Sequence, residues 1–326
     1  MHYMAEYGFF LAKTLTALIA ILFLVAGVVA ILAKNKGGNH AKLRIEPLNK
    51  KFESYADLLN EESLSKKAKK KLAKEKKAVE KKTDEGRQRI FVLDFNGDIR
   101  ASEVNSFREA ITALLTILKS NDEVVVRLES PGGMVHAYGL AASQLDRIRQ
   151  RGIPLTVSVD KVAASGGYLM ACVADKILAA PFAIIGSIGV IAQIPNFHRL
   201  LKKNDIDFEQ VTAGKFKRTL TLFGENTEEE REKLREELGE VHESFKEYIV
   251  HHREGVDISK VATGEHWLAV KAKQLNLVDE LITSDDYLLE KSKLSDVFHV
   301  SYTEKKPLLA RILEKTQYQG QLRGWM

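Results

Sequence analysis

The stretch TVSVDKVAASGGYLMACVADKILAAPFAIIGSIGV, residues 156–190, has Ser165 near its first third. Its β-branched, apolar beginning predicts a strand over 155–159, and the small residues from about Ala164 predict a helix. A serine at such a junction is unshielded by large neighbours, and the following helix start offers unpaired N–H groups and a partial positive charge. These properties suit a nucleophile, although a helix N-cap followed by glycines for close packing explains the same residues.

Short apolar runs alternate with helical segments on both sides of this stretch. The predicted strands are IFVLDF, EVVVRLE, LTVSV and KILAA, and the predicted helices cover 102–118, 134–149 and 164–174. Strands separated by helices predict right-handed βαβ crossovers and a largely parallel sheet, hence an α/β fold. Functional residues are then expected at the carboxyl ends of the strands.

A second glycine turn, SPGG at 130–133, follows the predicted strand EVVVRLE. Pro131 rigidifies this turn, and Gly132 and Gly133 allow bare backbone to approach a ligand. Backbone N–H groups here and at Gly166 can converge on one point, as an oxyanion hole requires. A tight strand-to-helix turn is the alternative for SPGG alone, but two such turns one βα unit apart favour the functional interpretation.

A serine nucleophile needs a base, and the sequence offers two kinds. No G-x-S-x-G elbow surrounds Ser165,. His136 and His198 are candidates for a Ser-His-Asp scheme. Lys215 and Lys217 are candidates for a lysine base, because desolvation lowers the pKa of a buried lysine and its neutral amine accepts the serine proton. On composition alone, a solvated basic turn formed by Lys215, Lys217 and Arg218 is the better interpretation of these residues.

The N-terminal third of the chain differs in composition from the rest. Residues 14–33 carry no charge, and about 20 such residues make a helix that crosses a hydrocarbon core of about 30 Å. We therefore predict an uncleaved transmembrane anchor over 1–36 and a charged, lysine-rich linker over 37–89. The α/β domain that contains the candidate nucleophile is predicted over 90–300, with a C-terminal tail over 301–326.

Charge and composition limit the partners. The net charge of +5 comes largely from a lysine-rich block before residue 83, and no aromatic residue is interleaved among the lysines over 65–89. A solvated spacer explains this stretch most simply. Among functional interpretations, contact with anionic lipid is a better prediction than nucleic-acid binding. Basic residues after the apolar run favour a cytoplasmic domain by the positive-inside rule. Cys172 is predicted to be a buried structural thiol. No Walker A pattern or His/Cys/Glu cluster occurs, so no cofactor, ATP or metal is predicted,.

The motifs DKVAASGGYLMAC, SPGG, GSIGV and GKFKR together resemble the signature of the signal peptide peptidase A family of Ser-Lys serine proteases. The resemblance extends over almost the full length. It implies a ClpP/crotonase-like fold, in which a largely parallel sheet is accompanied by a small second sheet and flanking helices. It further implies an ATP-independent serine endopeptidase of the bacterial inner membrane. Members of this family act on the periplasmic side of the membrane and form homo-oligomeric rings. We therefore expect a ring here, and we expect a periplasmic domain although the basic residues after the apolar run favour the cytoplasm.

The resemblance also assigns roles to residues. Ser165 corresponds to the nucleophile, Lys217 to its general base and Ser187 to a serine that hydrogen-bonds the lysine amine; Lys215 is the alternative base. The implied oxyanion donors are the N–H groups of Gly132 or Gly133 together with that of Gly166.

The expected substrates are unfolded or apolar peptides, such as signal-peptide remnants or damaged envelope proteins. Two other functions fit parts of the same sequence. A crotonase-type acyl-CoA enzyme shares the two glycine turns as an oxyanion hole, and a catalytically silent membrane scaffold or chaperone shares the membrane tether.

Overall fold

The computed structural model describes residues 2–35, 42–65, 67–69, 71 and 86–303. The chain divides into two compact units. One consists of Met1–Lys42 with Thr303–Met326, and the other of Leu43–Tyr302.

The first unit contains helix α1 (His2–Asn35), which includes the predicted apolar span at 14–33. Within the described part of the chain, no helix combines the length and the apolar character needed to cross a membrane. The side chains at 24–26 and 28–35 lie outside the described residues. The transmembrane anchor over 1–36 stays a prediction from the sequence.

The remaining elements follow in chain order. The strands are β1 (Lys42–Pro47), β2 (Arg89–Asn96), β3 (Glu123–Glu129), β4 (Leu155–Val159), β5 (Val162–Ala164), β6 (Lys176–Ala179), β7 (Ile184–Gly186), β8 (His266–Leu268), β9 (Glu280–Leu281) and β10 (Asp296–Thr303). The helices are α2 (Leu48–Ser63), α3 (Val104–Leu115), α4 (Val135–Arg149), α5 (Gly166–Ala171), α6 (His198–Lys203), α7 (Glu228–His252), α8 (Ile258–Val261), α9 (Ala269–Gln274) and α10 (Ser284–Ser292).

The central sheet has seven strands in the order β1-β10-β2-β3-β4-β6-β9. The strand pairs from β10 to β9 are parallel. A smaller sheet has the order β5-β7-β8, in which β5 and β7 are parallel and β8 is antiparallel to β7. The predicted α/β architecture with a mostly parallel sheet is thus confirmed.

Side chains of β2 alternate between the two faces of the central sheet, as the two-residue strand period requires. Phe91, Leu93 and Phe95 join the larger core cluster, which also holds buried residues of α3, α4, α5 and α7. Ile90 and Val92 join a smaller cluster with residues of α2 and α10. Helices cover both faces, so the middle strands are buried throughout, and this explains their continuous apolar runs.

The segment predicted as a linker, 37–89, differs from that prediction in its first half. Residues 42–47 form the edge strand β1, and the following residues form α2, whose Leu48 is buried in the smaller core cluster. The many lysines of the segment conceal this short amphipathic piece. Most of the lysine-rich part, at 72–85, lies outside the described residues, as does the predicted tail beyond Thr303.

The apolar stretch over 177–195 is interrupted by Pro181, Gly186 and Gly189, so its sequence predicts two short β-like pieces, KILAA and IIGSIGVIAQ, and not a second membrane span,. The second piece forms a shorter strand than its composition indicates. The piece IIGSIGVIAQ is a strand only over β7. The strand ends because Gly186 has φ 111° and Ser187 has φ 50°, so the backbone leaves the extended region there,.

Candidate active site

Ser165 lies between β5 and α5, at the predicted strand-to-helix junction, with φ 51° and ψ −119°. A non-glycine residue in this sparsely populated region carries about 1–3 kcal/mol of strain, and such strain clusters at functional sites. Ser165 occupies the N-cap position of α5, but its side chain makes no capping hydrogen bond. The half-buried hydroxyl is therefore held in a tight turn without being used as a cap, which disfavours the interpretation of Ser165 as a simple N-cap.

The small sheet brings Ser187 next to Ser165. Ala164 and Gly186 are register partners on the parallel strands β5 and β7, and such strands lie about 4.8 Å apart. The Ser165 N–H donates to the Gly186 carbonyl at 2.8 Å, and the Ser187 N–H donates to the Glu265 carbonyl at 2.7 Å. The two serines thus leave neighbouring strand ends together, as the family resemblance implies.

The SPGG turn lies directly against the Ser165 turn. Ser130 forms a parallel bridge with Ala163 of β5. A Cβ atom built on Gly132, which has φ 91°, would lie 2.7 Å from the Ser165 Cβ and 2.7 Å from the Ala164 carbonyl oxygen. Only glycine allows this approach, because any side chain at 132 would collide with the backbone of the serine turn. The expected meeting of the two glycine turns is therefore present.

The N–H groups of the glycines are not equivalent. The Gly132 N–H donates to the Ser130 Oγ at 3.0 Å. Among the residues that the structure describes, the N–H groups of Gly133 and Gly166 have no hydrogen-bond acceptor. Of the two candidate donors in the SPGG turn, Gly133 is thus the one whose N–H is available to a ligand.

Neither lysine candidate has a hydrogen bond to the Ser165 turn among the described residues. Lys217 is exposed and lines a groove of about 620 Å³ together with Phe208 and Phe223. Lys215 is also exposed and forms an ion pair with Glu229. No hydrogen bond joins the Lys217 amine to the Ser165 hydroxyl within the described part of the chain, so one chain does not present an assembled Ser-Lys pair.

The remaining candidates are two histidines and one cysteine. His136 is exposed on α4, and His198 begins the short helix α6. Neither has a hydrogen bond to Ser165 among the described residues. Cys172 is fully buried, and burial raises the pKa of its thiol, which is consistent with a structural role. No group of three or more His, Cys, Asp or Glu residues suited to a metal ion occurs in the described ranges.

Two polar residues beneath the SPGG turn are not predicted from the sequence. Ser130 and Tyr138 are fully buried, and their hydroxyl oxygens lie 2.5 Å apart. The spacing of eight residues in SPGGMVHAY brings them onto one turn-helix unit, but a serine before proline and a tyrosine in an amphipathic helix are ordinary residues. Only their shared burial distinguishes them.

Comparisons with known proteins agree with these motifs. The family profile described as "Peptidase family S49 N-terminal" matches residues 2–145, and "Peptidase family S49" matches residues 147–298. A protein of Haemophilus influenzae named "Probable protease SohB" is 51% identical, with 94% of this chain and 90% of the relative covered. A "Probable protease SohB" of Buchnera aphidicola is 49% identical, with 95% and 93% covered.

Among solved structures, a serine-to-alanine mutant of the "1510-N membrane-bound stomatin-specific protease" matches with a TM-score of 0.42 and 16% identity, covering 63% of this chain and 85% of that one. The two sequence relatives match this chain along nearly their whole length. On this chain, the ranges matched by the family profiles include the SPGG turn, Ser165 and GKFKR. The predicted family is thereby confirmed, and the chain belongs to peptidase family S49.

Proposed function

We propose that this peptidase is a serine endopeptidase with Ser165 as nucleophile and Lys217 as general base. The observation that carries the proposal is the strained Ser165 turn, whose hydroxyl has no capping role and which contacts a glycine turn with an available N–H group. A nucleophile beside unpaired backbone donors is the arrangement that acyl transfer needs.

The proposed mechanism assigns each bond change to a residue. The Ser165 Oγ attacks the peptide carbonyl while its proton passes to the Lys217 amine, which Ser187 helps to orient. The N–H groups of Gly133 and Gly166 stabilise the oxyanion of the tetrahedral intermediate. The intermediate collapses as the C–N bond breaks and the lysine returns the proton to the leaving amine. Water, activated by the same lysine, then hydrolyses the serine ester.

A lysine acts as base at neutral pH only when it is desolvated, and Lys217 is exposed in the single chain. We therefore propose that assembly or substrate binding covers it. Residues 190–226, here called the arm, support a homo-oligomer because many large apolar side chains are exposed there. These are Ile191, Ile194, Phe197, Leu200, Ile206, Phe208, Val211, Phe216, Leu222 and Phe223. Exposed apolar surface of this kind is typical of protein interaction sites.

The proposed substrates are unfolded or apolar peptides, with signal-peptide remnants and damaged envelope proteins as the expected examples. Met134 and Val135 directly follow the SPGG turn and are exposed, so apolar substrate side chains have apolar contacts available beside the nucleophile.

The assignment is tested with the purified full-length chain and a fluorogenic unfolded protein such as labelled casein. We expect Ser165→Ala and Lys217→Ala each to lose at least about 10³-fold in kcat/KM, and Lys215→Ala to retain activity. Full activity of Ser165→Ala or of Lys217→Ala would overturn the assignment. A parent chain that hydrolyses nothing would instead favour a catalytically silent scaffold.

A mixing experiment tests whether assembly completes the site. Ser165→Ala and Lys217→Ala chains are co-expressed with different tags, and mixed oligomers are isolated. Restored hydrolysis means that the lysine of one chain serves the serine of another, whereas persistent inactivity means that each lysine serves its own chain.

Association with the bacterial inner membrane is a separate proposal, based on the sequence of residues 14–33 and on the lysine-rich linker as a site for anionic lipid headgroups,. We place the protease domain in the periplasm. Carbonate extraction of membranes tests the attachment. A C-terminal fusion to a reporter that works only in the cytoplasm tests the placement, and reporter activity would contradict a periplasmic protease domain.

A further inference from the structure

We infer that Ser130 and Tyr138 are positioning residues that hold the oxyanion-binding turn in its working conformation. The inference rests on the proposed serine mechanism and deepens it, because neither residue touches the reacting atoms.

The backbone of Ser130 joins the two glycine turns. Its N–H donates to the Val162 carbonyl at 2.8 Å, and its carbonyl accepts the Ala164 N–H at 3.0 Å. Both partners belong to β5, the strand that leads into Ser165. Ser130 therefore sets the position of the SPGG turn relative to the nucleophile.

The side chain of Ser130 starts a directed chain of hydrogen bonds. Its Oγ accepts the Gly132 N–H at 3.0 Å and lies 2.5 Å from the Tyr138 hydroxyl oxygen. The Tyr138 hydroxyl donates its one proton to the Asp98 carbonyl at 2.7 Å, and that carbonyl can only accept. The Ser130 proton must then be donated to the Tyr138 oxygen. Each hydroxyl accepts one hydrogen bond and donates one. The three hydrogen bonds therefore all run in one direction, from the Gly132 N–H to the Asp98 carbonyl, and they strengthen one another.

This series of hydrogen bonds determines which N–H group of the SPGG turn is available to a ligand. It occupies the Gly132 N–H and holds Gly132 at φ 91°, a conformation that leaves the Gly133 N–H without an acceptor among the described residues. Without the Ser130 and Tyr138 hydroxyls, the turn loses the anchor that keeps the Gly132 amide turned inward.

The ring of Tyr138 also contacts the second donor. A Cβ atom on Gly166 would lie 2.4 Å from the Tyr138 Cγ, and one on Gly97 would lie 2.3 Å from its hydroxyl oxygen. Tyr138 is thus enclosed by glycines and touches the elements that carry both proposed oxyanion donors. Burial raises its pKa from the ordinary tyrosine value to about 12, so the hydroxyl stays protonated and able to donate well above neutral pH.

The test compares Tyr138→Phe with a matched control, Tyr168→Phe. Tyr168 is equally buried, and its hydroxyl also donates to a backbone carbonyl, that of Leu277 at 3.1 Å. Both variants lose one buried hydroxyl and keep the ring. We expect Tyr138→Phe to lower kcat about 10- to 100-fold with little change in KM, because misplaced donors weaken transition-state binding. A peptide aldehyde, which forms a tetrahedral adduct, should bind more weakly by a similar factor. Tyr168→Phe should change neither value.

Hydrogen exchange at the Gly132 amide gives a readout that does not need activity. We expect at least tenfold faster exchange in Tyr138→Phe and in Ser130→Ala than in Tyr168→Phe, and Ser130→Ala serves if Tyr138→Phe does not fold. Unchanged hydrogen exchange at Gly132 in these variants overturns the positioning role alone. An unchanged kcat of Tyr138→Phe does the same when Ser165→Ala is inactive. Retained hydrolysis by Ser165→Ala overturns the proposed serine mechanism instead.

Discussion

At the scale of single residues, Ser165 combines an unfavourable backbone conformation with a side chain that does nothing for the local structure. Its φ of 51° and ψ of −119° are maintained by hydrogen bonds on both sides, from its N–H to Gly186 and from the Leu169 N–H to its carbonyl. The surrounding small sheet and α5 therefore impose the conformation on the serine. This strain lowers the stability of the fold at the residue that is proposed to act as nucleophile.

The strain predicts opposite effects of substitution on stability and activity. Ser165→Gly and Ser165→Ala both remove the hydroxyl, but only glycine adopts this conformation without a Cβ penalty. We expect the glycine variant to exceed the alanine variant by about 1 kcal/mol in the free energy of unfolding, and both to be inactive. Urea denaturation followed by circular dichroism measures the difference. Equal stability of the two variants would mean that the turn is unstrained.

At the scale of elements, α7 shows how local signals specify a helix. Thr227 precedes it, and a capping box is complete: the Glu230 N–H donates to the Thr227 Oγ1 at 3.3 Å, while the Glu230 carboxylate accepts the Thr227 N–H at 2.7 Å. The sequence predicts a helix over 227–253, with Thr227 as its cap, acidic residues at 228–230 and basic residues at 251–253,, and α7 confirms this prediction. Phe245 and Ile249 are its buried residues, and they attach it to the larger core cluster.

Removing the cap should weaken the helix start by a known amount. Thr227→Ala leaves the Glu230 N–H without its acceptor, and we expect a loss of about 1 kcal/mol in the free energy of unfolding. Thr227→Ser keeps the hydroxyl and should lose much less. Thermal denaturation of both variants makes the comparison, and an alanine variant as stable as the serine variant would show that the box contributes nothing.

A second element-scale feature crosses three strands of the central sheet. Asp94 on β2 accepts two hydrogen bonds from Arg127 on β3, at 2.6 and 2.8 Å, and one from His299 on β10, at 2.9 Å. Burial on its own would raise the pKa of Asp94, but the bonds from His299 and Arg127 outweigh it and lower the pKa to about 2. The ionised carboxylate therefore joins three strands.

Because the folded-state pKa lies below the ordinary value of about 4, Asp94 stabilises the fold above that pH, and the contribution is lost as the pH falls toward 2. We expect Asp94→Asn to lower the melting temperature at pH 6, and this difference from the parent should shrink between pH 4 and pH 2. Asp207→Asn, at an exposed site, is the control and should differ little at any pH. A difference for Asp94→Asn that is constant with pH would contradict the assigned role.

At the scale of the whole molecule, the arm over 190–226 is unlike the rest of the unit that contains it. Its helix α6 has no buried residue, and Val211 is 95% exposed. The arm also carries Lys217, the proposed base. Covering this surface with a second copy would bury apolar area and desolvate the lysine together, so assembly and activity are expected to be coupled.

The coupling is tested by charged substitutions in the arm. Ile191→Glu combined with Val211→Glu should reduce the oligomer mass and lower hydrolysis, because burying two carboxylates in an apolar interface is unfavourable. Leu294→Glu, at an 81% exposed position outside the arm, should change neither. Size-exclusion chromatography with light scattering measures mass. A parent chain that is monomeric and active would rule out the assembly proposal.

Much of the fold was accessible from local sequence. The apolar runs of β2, β3, β4 and β6 and the capped helix α7 form where they were predicted, because strand period, helix period and capping depend on neighbouring residues. The two glycine turns were likewise predictable at strand ends. The short strands β5, β8 and β9 were not, since two or three residues carry no readable period and form only through their partners.

The sequence by itself determined the mostly parallel sheet, the family and the position of Ser165 on a strand-to-helix turn, because each depends on residues close together in the chain or on a contiguous motif. The tertiary structure decided that Gly132 donates to Ser130 while Gly133 stays available, that Tyr138 supports both glycine turns, and that Lys217 is exposed in one chain. These outcomes depend on which polar groups form hydrogen bonds inside the packed core and which side chains remain exposed on its surface. Burial and hydrogen-bond direction are properties of the assembled neighbours, and no single segment encodes them.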